Sequence, residues 1–209
     1  MSPATGGSAL PEAARQLPSD DFLLFRRADC GALPGDVVAR LTAEISWRQE
    51  RIMLFGKTHM QPRLICWMGD PECTYRYSGT QHVPQPWYPL VSGLRASVEA
   101  LAGAKFNSVL LNLYRDGQDS MGFHADDEPE LGAHPVIASL SFGAARAMHF
   151  RHRRDRALPT QKLVLEDGDL LVMRGNSQQD WKHAIPKTRT ASGPRINLTF
   201  RLIRSPSPI

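Results

Sequence analysis

The residues with the most chemical content begin at His124-Ala125-Asp126, a few residues after an Asp116-Gly117 turn signal. In an extended segment, residues i and i+2 point to the same side, so one imidazole and one carboxylate face a common point. A third ligand must come from elsewhere, and His183, in WKHAIP, lies in a segment predicted to enter a later strand. Two histidines and one carboxylate on one face of an octahedron leave three positions open, the ligand arrangement of non-haem iron(II) centres that handle oxygen. Spacing alone leaves two readings open, because His-X-Asp also arises by chance and a lone strand histidine is more often structural. His59, His82, His134, His149 and His152 lack this partnered spacing and are expected in surface or packing roles.

A second signal is PRINLTFRLI, where Arg195, Asn197, Thr199 and Arg201 alternate with Ile196, Leu198, Phe200 and Leu202. The commoner origin of such alternation is a half-exposed strand with its polar face in water. The sharper reading is the polar wall of a pocket. Arg195 and Arg201 are then roughly 20 Å apart along the strand, and two guanidinium groups leaning inward hold the two ends of a short dicarboxylate. Asn112 and Tyr114 add two polar side chains on one face of another strand, one turn before His124.

These residues need a β scaffold, and the second half of the chain supplies one. From Phe106 onward, FNSVLLNLY, PVIASLSF, ARAMHFR, QKLVL, DLLVM and PRINLTFRLI read as short strands separated by turns such as Asp167-Gly168. Strands at this density indicate a sandwich, barrel or jelly roll. Ahead of them, Val37, Val38, Leu41 and Ile45 predict a helix over 36–47. Leu90, Leu94, Val98 and Leu101 predict another after Pro89, closed by Gly103. The aromatic-, Gly- and Pro-rich stretch between them, Phe55 to Trp87, reads as hairpins and loops.

The expected class is therefore α+β, mainly β. A flexible tail (1–20) precedes N-terminal helices and a lid (21–105), then a β core (106–204) and a short tail (205–209). The 42% hydrophobic and 22% charged residues suit a folded domain, and the net charge of +4 suits an anionic partner without demanding one. Three cysteines argue against a disulfide framework. No apolar run is long enough to span a bilayer, and the N-terminus lacks a secretory signal, so a reducing cytoplasm is expected.

Together these pieces resemble the AlkB family of Fe(II)- and 2-oxoglutarate-dependent dioxygenases. The elements that carry the resemblance are NLYRDGQDSMGFHADDE, IASLSFGAAR, GDLLVM, WKHAIP and PRINLTFR, and it runs from about Arg51 to Arg204. LFGK, PR, TYRYSG and PW resemble the branch that works on duplex DNA. The resemblance implies a double-stranded β-helix, or jelly-roll, core under a nucleotide-recognition lid. It implies Fe(II) on His124, Asp126 and His183, and 2-oxoglutarate on Asn112, Tyr114, Arg195, Asn197, Thr199 and Arg201. It implies oxidation of N-methyl groups on bases such as 1-methyladenine and 3-methylcytosine, with O2 as second cosubstrate and succinate, CO2 and formaldehyde as products.

On the substrate side the resemblance implies base stacking between Tyr77 and His124, and Tyr75, Asp127 and Glu128 near the base's polar edge, with Arg76 alongside. It implies a finger at Phe55, Gly56 and Lys57 that fills the gap left by a base flipped out of a duplex. Arg151, His152, Arg153, Arg154 and Arg156 form a basic run, with Lys187 and Arg189 as a second patch. The run is either a solvated loop or a set of phosphate contacts, and it is shorter than in the duplex-acting relatives. The implied partner is DNA, or RNA, met by a monomer away from membranes, in the nucleoid if bacterial or the nucleus if eukaryotic. Two readings compete with DNA repair: an oxygenase of the same kind acting on RNA or protein, and a non-catalytic jelly-roll reader of modified bases.

Overall fold

The computed structural model describes residues 17–31, 34–54, 56–73, 75–77, 80–190 and 193–204. The tails expected at 1–20 and 205–209 fall mostly or wholly outside them. A proline opens each longer helix, α1 (Pro34–Glu44) and α2 (Pro89–Ala102), where its missing N–H costs no hydrogen bond. α1 starts two positions before the predicted 36 because Pro34 itself is helical. It ends at Glu44 rather than 47, where the chain folds back and the Trp47 indole donates to the Leu41 carbonyl at 3.0 Å. α2 ends as predicted on Gly103, whose φ of 63° is a left-handed cap open to glycine, and the cap N–H donates to the Glu99 carbonyl. Its buried stripe is Val91, Leu94 and Val98, with Leu90 and Leu101 at the margins.

The strands are, in chain order, β1 (Phe22–Phe25), β2 (Arg51–Leu54), β3 (Lys57–Met60), β4 (Leu64–Gly69), β5 (Tyr75–Tyr77), β6 (Thr80–His82), β7 (Ser108–Tyr114), β8 (Met121–His124), β9 (Ile137–Gly143), β10 (Arg146–His152), β11 (Gln161–Leu165), β12 (Leu170–Met173), β13 (Trp181–Ile185) and β14 (Arg195–Arg201). A six-stranded sheet runs β1-β12-β9-β14-β7-β4, and a four-stranded sheet runs β11-β10-β13-β8. β2-β3 and β5-β6 are separate two-stranded hairpins. All named pairings are antiparallel, as expected for a jelly roll.

β1 and β4 come from the segment assigned to helices and lid, yet both pair within the larger sheet. FLLF and LICWMG are short apolar runs without alternation, which is how a strand covered on both faces reads. The boundary at 105/106 is therefore not a division of the sheet.

Two apolar cores flank the larger sheet. On its outer side Ile196, Leu198 and Phe200 pack with Val37 and Leu41 of α1 and Val91, Leu94 and Val98 of α2. Between the sheets lie Phe22, Phe150, Leu163, Leu165, Trp181 and Ile185. β14 sits between β7 and β9, so both its edges are hydrogen-bonded within the sheet. Its polar face points inward rather than into water: Arg195 is 1% exposed, Asn197 5% and Thr199 7%. The commoner solvent-face reading of this strand is overturned, because β14 is central and the second sheet covers its polar side. The strand ends at Arg201, one residue before Leu202, which is 42% exposed rather than part of the apolar face.

Candidate active site

β8 and β13 pair so that His124 and His183 stand opposite each other, with ring centroids 4.2 Å apart. β8 stops at His124, so Asp126 enters from the following loop and not from the strand continuation that its spacing suggested. His124, Asp126 and His183 each turn one ligand atom to a common point, all within 4.8 Å of one another. They are the one such cluster found among the described residues, and the other described histidines stand apart from it.

The electrostatics suit a cation. Burial alone would push the Asp126 carboxyl up, but Arg201, His183 and His124 hold it down at about 2. Its Oδ1 accepts from Arg201 Nη2 at 2.8 Å, while Oδ2 is buried with no hydrogen-bond partner among the described residues. Burial, reinforced by His124 and opposed by Asp126, lowers His183 to about 3, so its imidazole is neutral and its lone pair available. His124 donates from Nδ1 to the Gly122 carbonyl at 2.9 Å, which leaves Nε2 as the free donor atom.

One internal pocket between the sheets joins this cluster to Asn112, Tyr114, Asn197, Thr199 and Arg201. Asn112 stands opposite Asn197, and Tyr114 opposite Arg195. Arg195 is fully buried, and that burial lowers its guanidinium to about 10, still cationic at neutral pH. Nη2 donates to Ser141 Oγ at 3.0 Å, whereas Nε and Nη1 have no hydrogen-bond partner among the described residues. A buried cation with free donors, and with no carboxylate paired to it among those residues, is built for an anionic ligand. Asn197 donates to Ser139 Oγ at 2.8 Å and accepts from Thr199 Oγ1 at 2.9 Å, which stiffens the wall. A surface depression beside Arg27, Asp29, Glu166 and Asp167 shares no residue with this pocket.

The scan against family models matches residues 34–201 to the 2OG-Fe(II) oxygenase superfamily, a span that contains the whole pocket. The chain belongs to that superfamily. Within it the chain is of the AlkB type. It is 42% identical over 175 residues to the Bos taurus "Alpha-ketoglutarate-dependent dioxygenase alkB homolog 3", covering 80% of this chain and 60% of that protein. It is 41% identical over 199 residues to the Mus musculus "DNA oxidative demethylase ALKBH2", covering 91% and 82% respectively. The Homo sapiens protein of that name is 34% identical over 215 residues, covering 96% and 81%. The chain thus spans about 60% of the length of the homolog 3 relatives it matches. A solved structure described as "The structure of OsALKBH1" shares the fold with a TM-score of 0.64 at 17% identity, covering 89% of this chain and 100% of that one.

In this AlkB-type chain the residues expected on the substrate side are only partly described. Phe55 and the side chains of Lys57, Tyr75, Arg76 and Tyr77 lie outside the described residues. Gly56 is at the tip of the β2-β3 hairpin with a φ of 73°, a conformation that favours glycine. Asp127 and Glu128 follow Asp126 directly and are exposed. Protein packed around the Glu128 carboxyl raises its pKa, and the charges of Asp126 and Asp127 add to this.

The basic run does not act as one loop. Arg151 is still in β10 with its guanidinium 4.2 Å from the Phe123 ring centroid, and His152 meets the Trp181 ring edge-on. Arg153 pairs with Asp127 at 2.6 Å, and among the described residues Arg154 and Arg156 have no ion-pair partner. Two contributors escaped the sequence reading. Arg63 is buried and donates to Asn112 Oδ1 at 2.7 Å, and Gln178 accepts from the Asp126 backbone N–H at 2.9 Å. Arg63 belongs to the PR motif, but nothing in its type or spacing points to burial. NSQQD carries no signal for Gln178 at all.

Proposed function

We propose that this chain is an AlkB-type oxidative demethylase. It removes methyl groups from damaged DNA bases such as 1-methyladenine and 3-methylcytosine, consuming 2-oxoglutarate and O2 and releasing succinate, CO2 and formaldehyde. The observation that carries this reading is the pairing, between the two sheets, of a buried Asp126 Oδ2 set between two histidines with a buried Arg195 whose Nε and Nη1 are left free among the described residues. The first fits a divalent metal and the second fits the far carboxylate of a dicarboxylic acid.

His124, Asp126 and His183 hold the metal. Bound Fe(II) supplies oxygen activation coupled to decarboxylation of 2-oxoglutarate. Arg201 fixes the Asp126 carboxylate through Oδ1 and so leaves Oδ2 for the metal. Arg195, braced by Ser141 and lying 5.3 Å from the Tyr114 ring centroid, binds the distal carboxylate. Asn112, Tyr114, Asn197 and Thr199 line the path between the two ends, with Asn112 held by Arg63. Met121, Met148, Met173 and Ile185 close the pocket with apolar surface and keep water from the reacting atoms.

A base inside a stack cannot reach this interior, so it is flipped out or presented in a single strand. Tyr75, Arg76 and Tyr77 and the Phe55-Gly56-Lys57 stretch receive it, and Asp127 and Glu128 meet its polar edge. Arg154, Arg156, Lys187 and Arg189 contact phosphates. The chain acts as a monomer in the reducing compartment that holds DNA, for which three buried free cysteines are suited.

The test is incubation with Fe(II), 2-oxoglutarate and oligonucleotides carrying 1-methyladenine or 3-methylcytosine as single-stranded DNA, duplex DNA or RNA. Formaldehyde and the restored base should appear with DNA, matched by succinate. Restoration of RNA alone would move the substrate to RNA, and succinate formation unaffected by any methylated oligonucleotide would refute a nucleic-acid substrate.

A further inference from the structure

Asp126 lies past the end of β8, so no strand ladder fixes its main chain. Its N–H is held by the side-chain oxygen of Gln178 at 2.9 Å. Gln178 is fully buried in α3 (Ser177–Asp180), the single turn that runs straight into β13 and His183. One amide therefore ties the loop of one ligand to the strand of another. Its NH2 end faces Ser177 Oγ at 3.3 Å and Met173 Sδ at 3.5 Å, which leaves the oxygen turned to Asp126.

Arg153 clamps the same turn from outside. Its Nη1 donates to the Gln178 carbonyl at 2.9 Å and to Asp127 Oδ2 at 2.6 Å, and its backbone N–H donates to the Asp180 carbonyl at 2.7 Å. The guanidinium thus binds both sides of the junction that Gln178 bridges within.

We propose that Gln178 and Arg153 are positioning residues that set the affinity of the His124–Asp126–His183 cluster for a divalent metal, a role that rests on reading this cluster as the metal site. With Oδ1 committed to Arg201, the placement of Oδ2 follows the Asp126 main chain, and that chain is held through Gln178 and Arg153 rather than by the sheet. Groups one shell out from a metal typically change its affinity about 10- to 100-fold.

The experiment is calorimetric titration of the metal-free protein with Co(II), without 2-oxoglutarate or nucleic acid. Gln178→Leu, which removes the acceptor, should weaken Co(II) binding by about 10- to 100-fold, and Arg153→Ala by a smaller factor within that range. Gln178→Glu and Arg153→Lys, which keep an acceptor and a cation, should restore most of the affinity. Lys162→Ala, on the exposed face of β11 and outside the clamp, should bind Co(II) like the parent chain. Arg153 is partly exposed, so Arg153→Ala keeps the test decisive if Gln178→Leu does not fold. Wild-type Co(II) affinity in Gln178→Leu or, failing that, in Arg153→Ala would overturn the proposal. His183→Ala separates the two levels: if it also binds like wild type, the metal-site reading itself fails, whereas its loss beside unaffected Gln178 and Arg153 variants defeats the clamp alone.

Discussion

Arg195→Met replaces a buried guanidinium with an apolar side chain of similar length, and its effects on stability and on cosubstrate use should run in opposite directions. Burial lowers the Arg195 guanidinium well below its ordinary value, to about 10, which corresponds to about 3 kcal/mol held against the charged form. Methionine carries no such cost but loses the Ser141 hydrogen bond, worth about 1 kcal/mol. The net of about 2 kcal/mol should raise the melting temperature of the cosubstrate-free variant by about 4–8 °C, at about 2–4 °C per kcal/mol for a domain of this size. Adding Mn(II) and 2-oxoglutarate at about 100 times its Kd should stabilise the wild type by about 2.7 kcal/mol. The variant should lose most of that gain, because a charge-assisted bond of about 1.5–3 kcal/mol is gone. The KM for 2-oxoglutarate should rise about 10- to 100-fold. Differential scanning fluorimetry with and without 2-oxoglutarate, together with succinate release across a 2-oxoglutarate series, reads both effects. An undiminished thermal shift with an unchanged KM would refute Arg195 as the carboxylate anchor. A large fall in melting temperature without cosubstrate would refute the claim that its burial is costly.

His124→Ala, Asp126→Ala and His183→Ala should each abolish demethylation while far-UV circular dichroism stays unchanged, since a three-ligand site has no spare donor; wild-type turnover at limiting Fe(II) in any of them would remove that residue from the ligand set. In the metal-free protein, the stability linked to His183 is fully present above its ordinary value of 6.5, declines as the unfolded chain takes up a proton that the folded one refuses, and is lost by about pH 3. His183→Gln should flatten the melting-temperature profile through that window, and a profile parallel to wild type would show that His183 is not buried as a neutral ring. Phe55→Ala should lose far more activity on a methylated duplex than on the same lesion in a single strand, because only the duplex needs a wedge where the base was displaced. Equal losses on both substrates would place the finger elsewhere.

Much of the site was legible in the chain because its period is short. A two-residue alternation is a property of the strand itself, so the shared face of Arg195, Asn197, Thr199 and Arg201 follows from the sequence whatever packs above it. The breaks at Pro89 and Gly103 are equally local, since each acts through its own backbone angles or missing N–H. The His-X-Asp pair and a histidine elsewhere were visible as residue types, though not as neighbours.

Which side of each face meets protein was settled by long-range packing and not by any local pattern. Alternation in PRINLTFRLI is the same for a strand facing water and for one facing a second sheet. The placement of β14 between β7 and β9, under the four-stranded sheet, turned its polar face into a buried wall. Likewise FLLF and LICWMG carry no period, and only pairing with β12 and β7 shows them as strands of the larger sheet. His183 met His124 through a strand pairing 59 residues long in sequence, and Gln178 met Asp126 across 52. Contacts of that range are set by how the whole chain closes, and nothing in the local composition of NSQQD or of the Arg153 loop distinguishes a buried brace from a solvated turn.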